Sequence, residues 1–164
     1  MGEGAGKTTA AAGLSLRAAS HGKCVRVLQL LKPEISPEFA ALSRLGNVRV
    51  TVANPGIPFF FTLTDREKAE RILETEQAVK AFFAPQGGDF LLVVDEIGGA
   101  LQNGMLSESA LLSYLQVLPE NIHIALTGRY FPQSILEQAD CISEIRCVRH
   151  PYENGASAVE GIEY

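Results

Sequence analysis

Gly2-Glu3-Gly4-Ala5-Gly6-Lys7-Thr8-Thr9 is the stretch that decides how this chain is read. Alternate glycines ending in Gly-Lys-Thr, and running straight into Ala10-Ala11-Ala12, have the pattern of a phosphate-binding loop that opens a helix. Residues without Cβ let backbone N–H groups turn inward and approach phosphate oxygens. The helix amino end adds partial positive charge aimed at the same anion. Lys7 is expected to reach the outer phosphates, and the Thr8 hydroxyl to ligate Mg2+. Against the general pattern G-x-x-x-x-G-K-[ST], Gly2 lies one residue too close to Gly6, and Met1 stands where the first glycine belongs. Such a loop normally hangs from the end of a buried strand. No residues are at hand to form one, so the expected fold lacks its first strand. A merely flexible, glycine-rich opening is the other reading, and the amphipathic helix that follows argues against it.

Outward from the loop, helix and strand patterns alternate. Ala11, Leu14 and Ala18 keep helical spacing from Thr8 to about His21, with Gly22 as the stop. Lys23 to Leu31 is nearly continuously apolar, as a parallel strand covered on both faces should be. Pro33 and Pro37 interrupt the pattern, a short helix passes through Leu42 to Leu45, and Val48 to Val52 is a second strand. Residues 53–64 read as a loop. Thr64-Asp65-Arg66-Glu67 is a capping box that starts a helix running to about Phe83. Phe90 to Val94 is the most apolar strand and ends in Asp95-Glu96. A glycine-containing loop follows, then a helix from Ser107 to Leu118, a strand from Ile122 to Thr127, and a short helix from Pro132 to Ala139. Cys141 to Val148 reads as a last strand, and 149–164 as a tail without period. The alternation predicts one α/β domain over 1–164 with a mostly parallel central sheet flanked by helices.

Composition narrows the function classes. A net charge of −5 and a pI near 5.2 argue against nucleic acid as a general partner, because phosphate backbones demand a basic footprint. The longest apolar run, Phe90 to Val94, is far too short to span a bilayer. Cys24, Cys141 and Cys147 are odd in number and lack C-x-x-C spacing. They suit reduced core or strand positions in a cytoplasmic protein. No secretory leader is read ahead of the loop.

Two further strand ends carry candidate chemistry. In a parallel sheet the carboxyl ends of the strands face the edge that holds the phosphate loop. Asp95-Glu96 at such an end can hold Mg2+, directly or through water, or be an acidic pair in an exposed loop. Arg129, after Thr127-Gly128, either meets phosphate with its planar fork of donors or is a surface arginine. His21, His123 and His150 form no ligand cluster. Phe59-Phe60-Phe61, in a loop with flanking prolines, offers an aromatic wall for a flat apolar ligand or contributes to the core, the latter for at least one of the three.

Taken together, Gly2-Glu3-Gly4-Ala5-Gly6-Lys7-Thr8-Thr9-Ala10-Ala11, Leu28-Gln29-Leu30-Leu31-Lys32, Val93-Val94-Asp95-Glu96-Ile97, Thr127-Gly128-Arg129 and the ending Gly161-Ile162-Glu163-Tyr164 resemble the ATP:corrinoid adenosyltransferases of the CobA/BtuR/CobO type. The resemblance runs along almost the whole chain, in order, and the family's own loop has the same shortened glycine spacing. It implies a RecA-like P-loop fold, usually a homodimer, that binds MgATP. It also implies transfer of the 5′-deoxyadenosyl group to the Co(I) of a reduced corrinoid, with release of triphosphate, in adenosylcobalamin biosynthesis or salvage. An electron donor such as a reduced flavoprotein is implied as a partner. By resemblance Gly2, Gly4, Gly6, Lys7, Thr8 and Thr9 hold the phosphates, Thr8, Asp95 and Glu96 serve the metal, and Lys7, Glu96 and Arg129 are the catalytic set. Phe59 and Phe61 fall where the family sets aromatic residues against the corrinoid.

The chain departs from the family at several points. Ala5 replaces a lysine of Gly-Lys-Gly-Lys-Thr, and no Trp is present. Gly98-Gly99 stands where a polar residue is more usual, and Ser157 and Val159 replace a basic residue and a glutamine. Two other functions stay open on sequence. One is a P-loop ATPase or kinase that uses Glu96 to orient water or a hydroxyl. The other is a degenerate, non-catalytic protein that binds corrinoid or nucleotide.

Overall fold

The computed structural model describes residues 1–53, 60–84, 86–149, 155 and 157–162, and of Phe61 only the backbone. Four strands, β1 (Cys24–Gln29), β2 (Val48–Val52), β3 (Asp89–Asp95) and β4 (His123–Leu126), form one sheet in the order β2-β1-β3-β4. Every neighbouring pair is parallel, with Val27 opposite Val50 and Val93, and Val93 opposite Ala125. The two central strands are the continuously apolar ones, because helices cover them on both faces. Edge strand β2 buries Val48 and exposes Arg49 and Thr51.

On one face lie α1 (Lys7–Ser20) and α2 (Pro37–Leu42), packed on Val25, Val27, Leu91 and Val93. Small residues Ala11, Ala12, Ala18 and Ala19 let α1 sit close to the sheet, and buried Ser15 returns its hydroxyl to Ala11 O at 2.8 Å. On the other face α3 (Asp65–Phe83), α4 (Ile97–Gln102), α5 (Glu108–Gln116) and α6 (Gln133–Leu136) cover Leu28, Leu30, Leu92 and Val94. Each such side chain contributes roughly 1.5–3 kcal/mol when fully buried, so the two-sided core outweighs helix propensity as the source of order. Among the described residues no helix is long and apolar enough to cross a membrane.

Several local signals act as expected. Thr64 and Glu67 close the capping box, each side chain bonding the other's backbone N–H. One does not: the short helix expected through Leu42 to Leu45 instead spans Pro37–Leu42, because Pro37, expected only to interrupt, occupies its first turn, where a missing N–H costs nothing.

Four expectations are corrected. First, β1 stops at Gln29 because Leu31 turns left-handed (φ 55°). Second, the stretch after Glu96 is the helix α4 and not a loop, even though it contains Gly98 and Gly99. Third, Cys141 to Val148 forms no strand. Ile145 N–H donates to Met1 O and Gly4 N–H to Ile145 O, both at 2.8 Å, but Gly4 takes the rung that Glu3 should have taken, so the ladder slips at once. Fourth, all three cysteines are exposed and free: Cys24 opens β1 at its amino end, and the other two lie in the stretch that forms no strand. Of residues 53–64, read as a loop, 53 and 60–64 are described, and Phe60–Thr62 form a 3-10 turn.

Candidate active site at the carboxyl edge of the sheet

The loop Gly2–Gly6 delivers α1 to the carboxyl ends of β1, β3 and β4. Gly6 is the residue before α1 and adopts φ 100°, a conformation that side chains rarely tolerate. Lys7 Nζ donates to Gly4 O at 2.9 Å, folding the lysine back over its own loop. Arg129, just beyond β4, pairs with Glu3 at 3.4 Å, with both side chains largely exposed. Thr9 reaches Glu38 of α2 at 3.4 Å, away from the strand ends.

Asp95, the last residue of β3, is fully buried. Its Oδ1 accepts from Thr127 Oγ1 at 2.6 Å and its Oδ2 from Gln29 Nε2 at 3.0 Å, while Thr8 Oγ1 lies 3.1 and 3.2 Å from the two oxygens. Gln29 is locked in turn by Ser36, whose backbone N–H donates to Gln29 Oε1 at 2.9 Å and whose hydroxyl accepts from Nε2 at 3.0 Å. One buried carboxylate thus gathers the glycine loop, β1 and the residue after β4.

Glu96 adopts φ 63° and ψ 23° at the start of α4. Such a conformation costs a residue with a side chain on the order of 1–3 kcal/mol and persists only where its surroundings hold it. Thr127 supplies that hold: its Oγ1 accepts from Glu96 N–H at 2.9 Å and its backbone O from Gly98 N–H at 3.1 Å. The backbones at Gly98 and Gly128 come so close that a Cβ on Gly98 would sit 2.9 Å from Gly128 Cα and 2.5 Å from Tyr130 O. That contact explains why glycine, and no polar residue, stands at 98. The Glu96 carboxylate is half-buried and has no hydrogen bond or ion pair among the described residues.

The donor set consists of a threonine hydroxyl and two carboxylates, all hard oxygen ligands. It fits Mg2+, a cation that takes one or two carboxylates and completes its shell with waters and substrate phosphates. No cluster of three or more His, Cys, Asp or Glu able to hold a metal occurs among the described residues.

Of the residues expected at a site, Gly2, Gly4, Gly6, Lys7, Thr8, Asp95, Glu96 and Arg129 come together at this edge. Phe59 lies outside the described residues, as do the Phe61 side chain, His150 and Glu163-Tyr164 of the chain's ending. Phe60 packs on the core. His21 closes α1, and His123 lies against the Phe90 ring at 4.8 Å. Sequence reasoning carried Gln29 and Thr127 within motifs, the second at a strand end on this edge, but gave neither a role. A lone amide inside an apolar strand was the available signal for the first, and a hydroxyl at a strand end for the second.

Fold and candidate site define a class: an α/β protein with a candidate ligand site where the strands of a parallel sheet end and a glycine loop enters a helix. The sequence pattern of the family described as ATP:corrinoid adenosyltransferase BtuR/CobO/CobP matches residues 1–164. A corrinoid adenosyltransferase of Pseudomonas aeruginosa is 31% identical over 163 residues, covering 99% of this chain and 80% of its own length. Those of Escherichia coli and Salmonella typhimurium are 33% and 32% identical over 164 residues, covering 99% of this chain and 82% of theirs. The chain belongs to the ATP:corrinoid adenosyltransferase family.

Proposed function

We propose that this protein transfers the 5′-deoxyadenosyl group of ATP to the Co(I) of a reduced corrinoid. Cobalt's electron pair forms the bond to C5′, the C5′–O bond breaks, and triphosphate leaves with the electron pair of that broken bond. The observation that carries the reading is the Thr8–Asp95 hydrogen bond, which joins the glycine loop to the end of β3 in a chain that matches the family from residue 1 to 164.

Because the corrinoid is itself the nucleophile, the protein's work is alignment and charge stabilisation. Backbone N–H groups of Glu3, Ala5 and Gly6 and the amino end of α1 would face the triphosphate, whereas those of Gly2 and Gly4, expected there too, donate to Arg129 O and Ile145 O. Lys7 leaves Gly4 O, and Arg129 leaves Glu3, to meet the phosphate oxygens. Thr8 and Glu96 would hold Mg2+, and Asp95 accepts the Thr8 proton so that the hydroxyl's lone pairs face the cation. Bound there, Mg2+ would neutralise charge growing on the leaving group. Glycine loop, buried carboxylate and parallel strand order support a single RecA-like P-loop domain over residues 1–164. On the family resemblance, Phe59 and Phe61 face the corrinoid, Thr9 serves the phosphates, and the protein works as a cytoplasmic homodimer supplied by a reduced flavoprotein.

Incubation with ATP, Mg2+ and chemically reduced cobalamin should yield the spectrum of a light-sensitive adenosylated product together with triphosphate. Absence of that product where a relative makes it rejects the reading. Release of inorganic phosphate instead would favour an ATPase or kinase in which the free Glu96 carboxylate orients water.

A further inference from the structure

We propose that Thr127, to which no expectation had given a role, is the positioning residue that sets Glu96 against the cation; the proposal rests on the metal–nucleotide reading above. Thr127 touches the turn between β3 and α4 four times. Its N–H donates to Val94 O at 3.1 Å and its O accepts from Gly98 N–H at 3.1 Å. Its hydroxyl donates to Asp95 at 2.6 Å while accepting from Glu96 N–H at 2.9 Å. One hydroxyl therefore spends its single proton on one acidic residue and a lone pair on the backbone of the next.

The two hydroxyl bonds do different work. The bond to Asp95 orients a carboxylate whose other side receives Thr8, so the phosphate loop and the α4 turn are registered to each other through one buried group. The bond to Glu96 N–H holds the left-handed backbone that turns this side chain out of the line of β3. The Glu96 carboxylate has no partner of its own among the described residues, so its backbone, which fixes the Cα–Cβ direction, sets the space the carboxylate can reach. A hydroxyl that fixes that backbone sets the carboxylate's position without touching substrate.

The test compares Thr127→Val, which keeps the shape and removes the hydroxyl, with Thr127→Ser, which keeps the hydroxyl. The probe is Mn2+ with a non-hydrolysable imido analogue of ATP, and bound Mn2+ is read by electron paramagnetic resonance. Thr127→Val should weaken Mn2+ binding roughly tenfold or more, the usual scale for a group that orients a ligand. Thr127→Ser should stay within a small factor of the parent. In a Glu96→Gln background Thr127→Val should weaken Mn2+ less than it does in the parent, the remainder being the share carried by Asp95 and Thr8, and an undiminished loss there overturns the proposal. Parent-like Mn2+ binding in Thr127→Val, or equal losses in Val and Ser, overturns the proposal. Should Thr127→Val not fold, Thr127→Cys, with its weak donor and acceptor, takes its place under the same criteria. A parent protein that binds no Mn2+–nucleotide sinks the functional reading and this proposal together. A parent that binds, with an unaffected variant, sinks this proposal alone.

Discussion

Strand β3 begins and ends with an enclosed aspartate, and the two are satisfied in opposite ways. Asp89 meets the Arg26 guanidinium at 2.7 Å, with 5% and 7% of the two side chains exposed. Arg26 also lies 5.0 Å over the Phe82 ring and donates to Ala84 O at 3.4 Å. Asp95 is as deeply buried, yet it receives only hydroxyls and an amide, from Thr8, Thr127 and Gln29, and has no cationic partner among the described residues. A buried charge must be compensated, and the manner of compensation separates the two ends. A guanidinium offsets the Asp89 charge and makes a structural joint, although Asp89 Oδ2 and Arg26 Nε have no hydrogen-bond partner among the described residues. Neutral donors stabilise Asp95 without cancelling it, so its negative potential stays available at the strand end where Thr8 and Glu96 wait.

The sharpest way to break this contrast is through turnover. Asp95→Asn should lower formation of adenosylated product on the order of 100-fold, whereas the pair Arg26→Met with Asp89→Leu should leave turnover near the parent. Comparable losses at both ends would end the distinction. Stability should rank the other way. Asp89→Ala alone strands a buried guanidinium and should cost about 3–5 kcal/mol in denaturant unfolding, while the apolar double replacement costs little. Next comes Gly98→Ala, whose methyl meets Tyr130 O and Gly128 Cα. About 1–3 kcal/mol of lost stability is expected, with a fall in turnover because the Glu96 turn is displaced.

The smallest effect serves as the control at a distance from both carboxylates. Thr64→Ala should cost about 1 kcal/mol and leave turnover alone. Hydrogen bonds from the Thr64 side chain, then from its backbone, hold the Glu67 carboxyl below its ordinary value of 4.5. The stabilisation is therefore complete above that pH and is lost as pH falls through the lower, folded-state value. Melting temperature recorded down to pH 3 should fall more steeply for the parent than for Thr64→Ala.

Much of this was legible locally. Gly6-Lys7-Thr8, the apolar run before Asp95-Glu96 and the capping box at Thr64 each carry their meaning within a few residues. Reading failed where the meaning lay in a neighbour remote in sequence. Gly98 and Gly99 read as loop residues because helix propensity penalises glycine, yet α4 tolerates them where Gly128 approaches. Arg26 drew no reading at all inside an apolar strand, and only Asp89 and Phe82 make it a buried joint. Cys141 to Val148 had a strand's composition but did not find a continuous ladder.

The sequence by itself determined most of the element order up to β4, the parallel sheet and the edge that carries the candidate site, because periodicity, capping and glycine spacing are short-range properties of the chain. Tertiary structure alone decided which polar groups meet: Gln29, Thr127 and Thr8 converge on Asp95 only once three strands and a helix are in register. A hydrogen bond depends on distances of about 3 Å, and no spacing along the chain encodes such a distance between residues 87 positions apart.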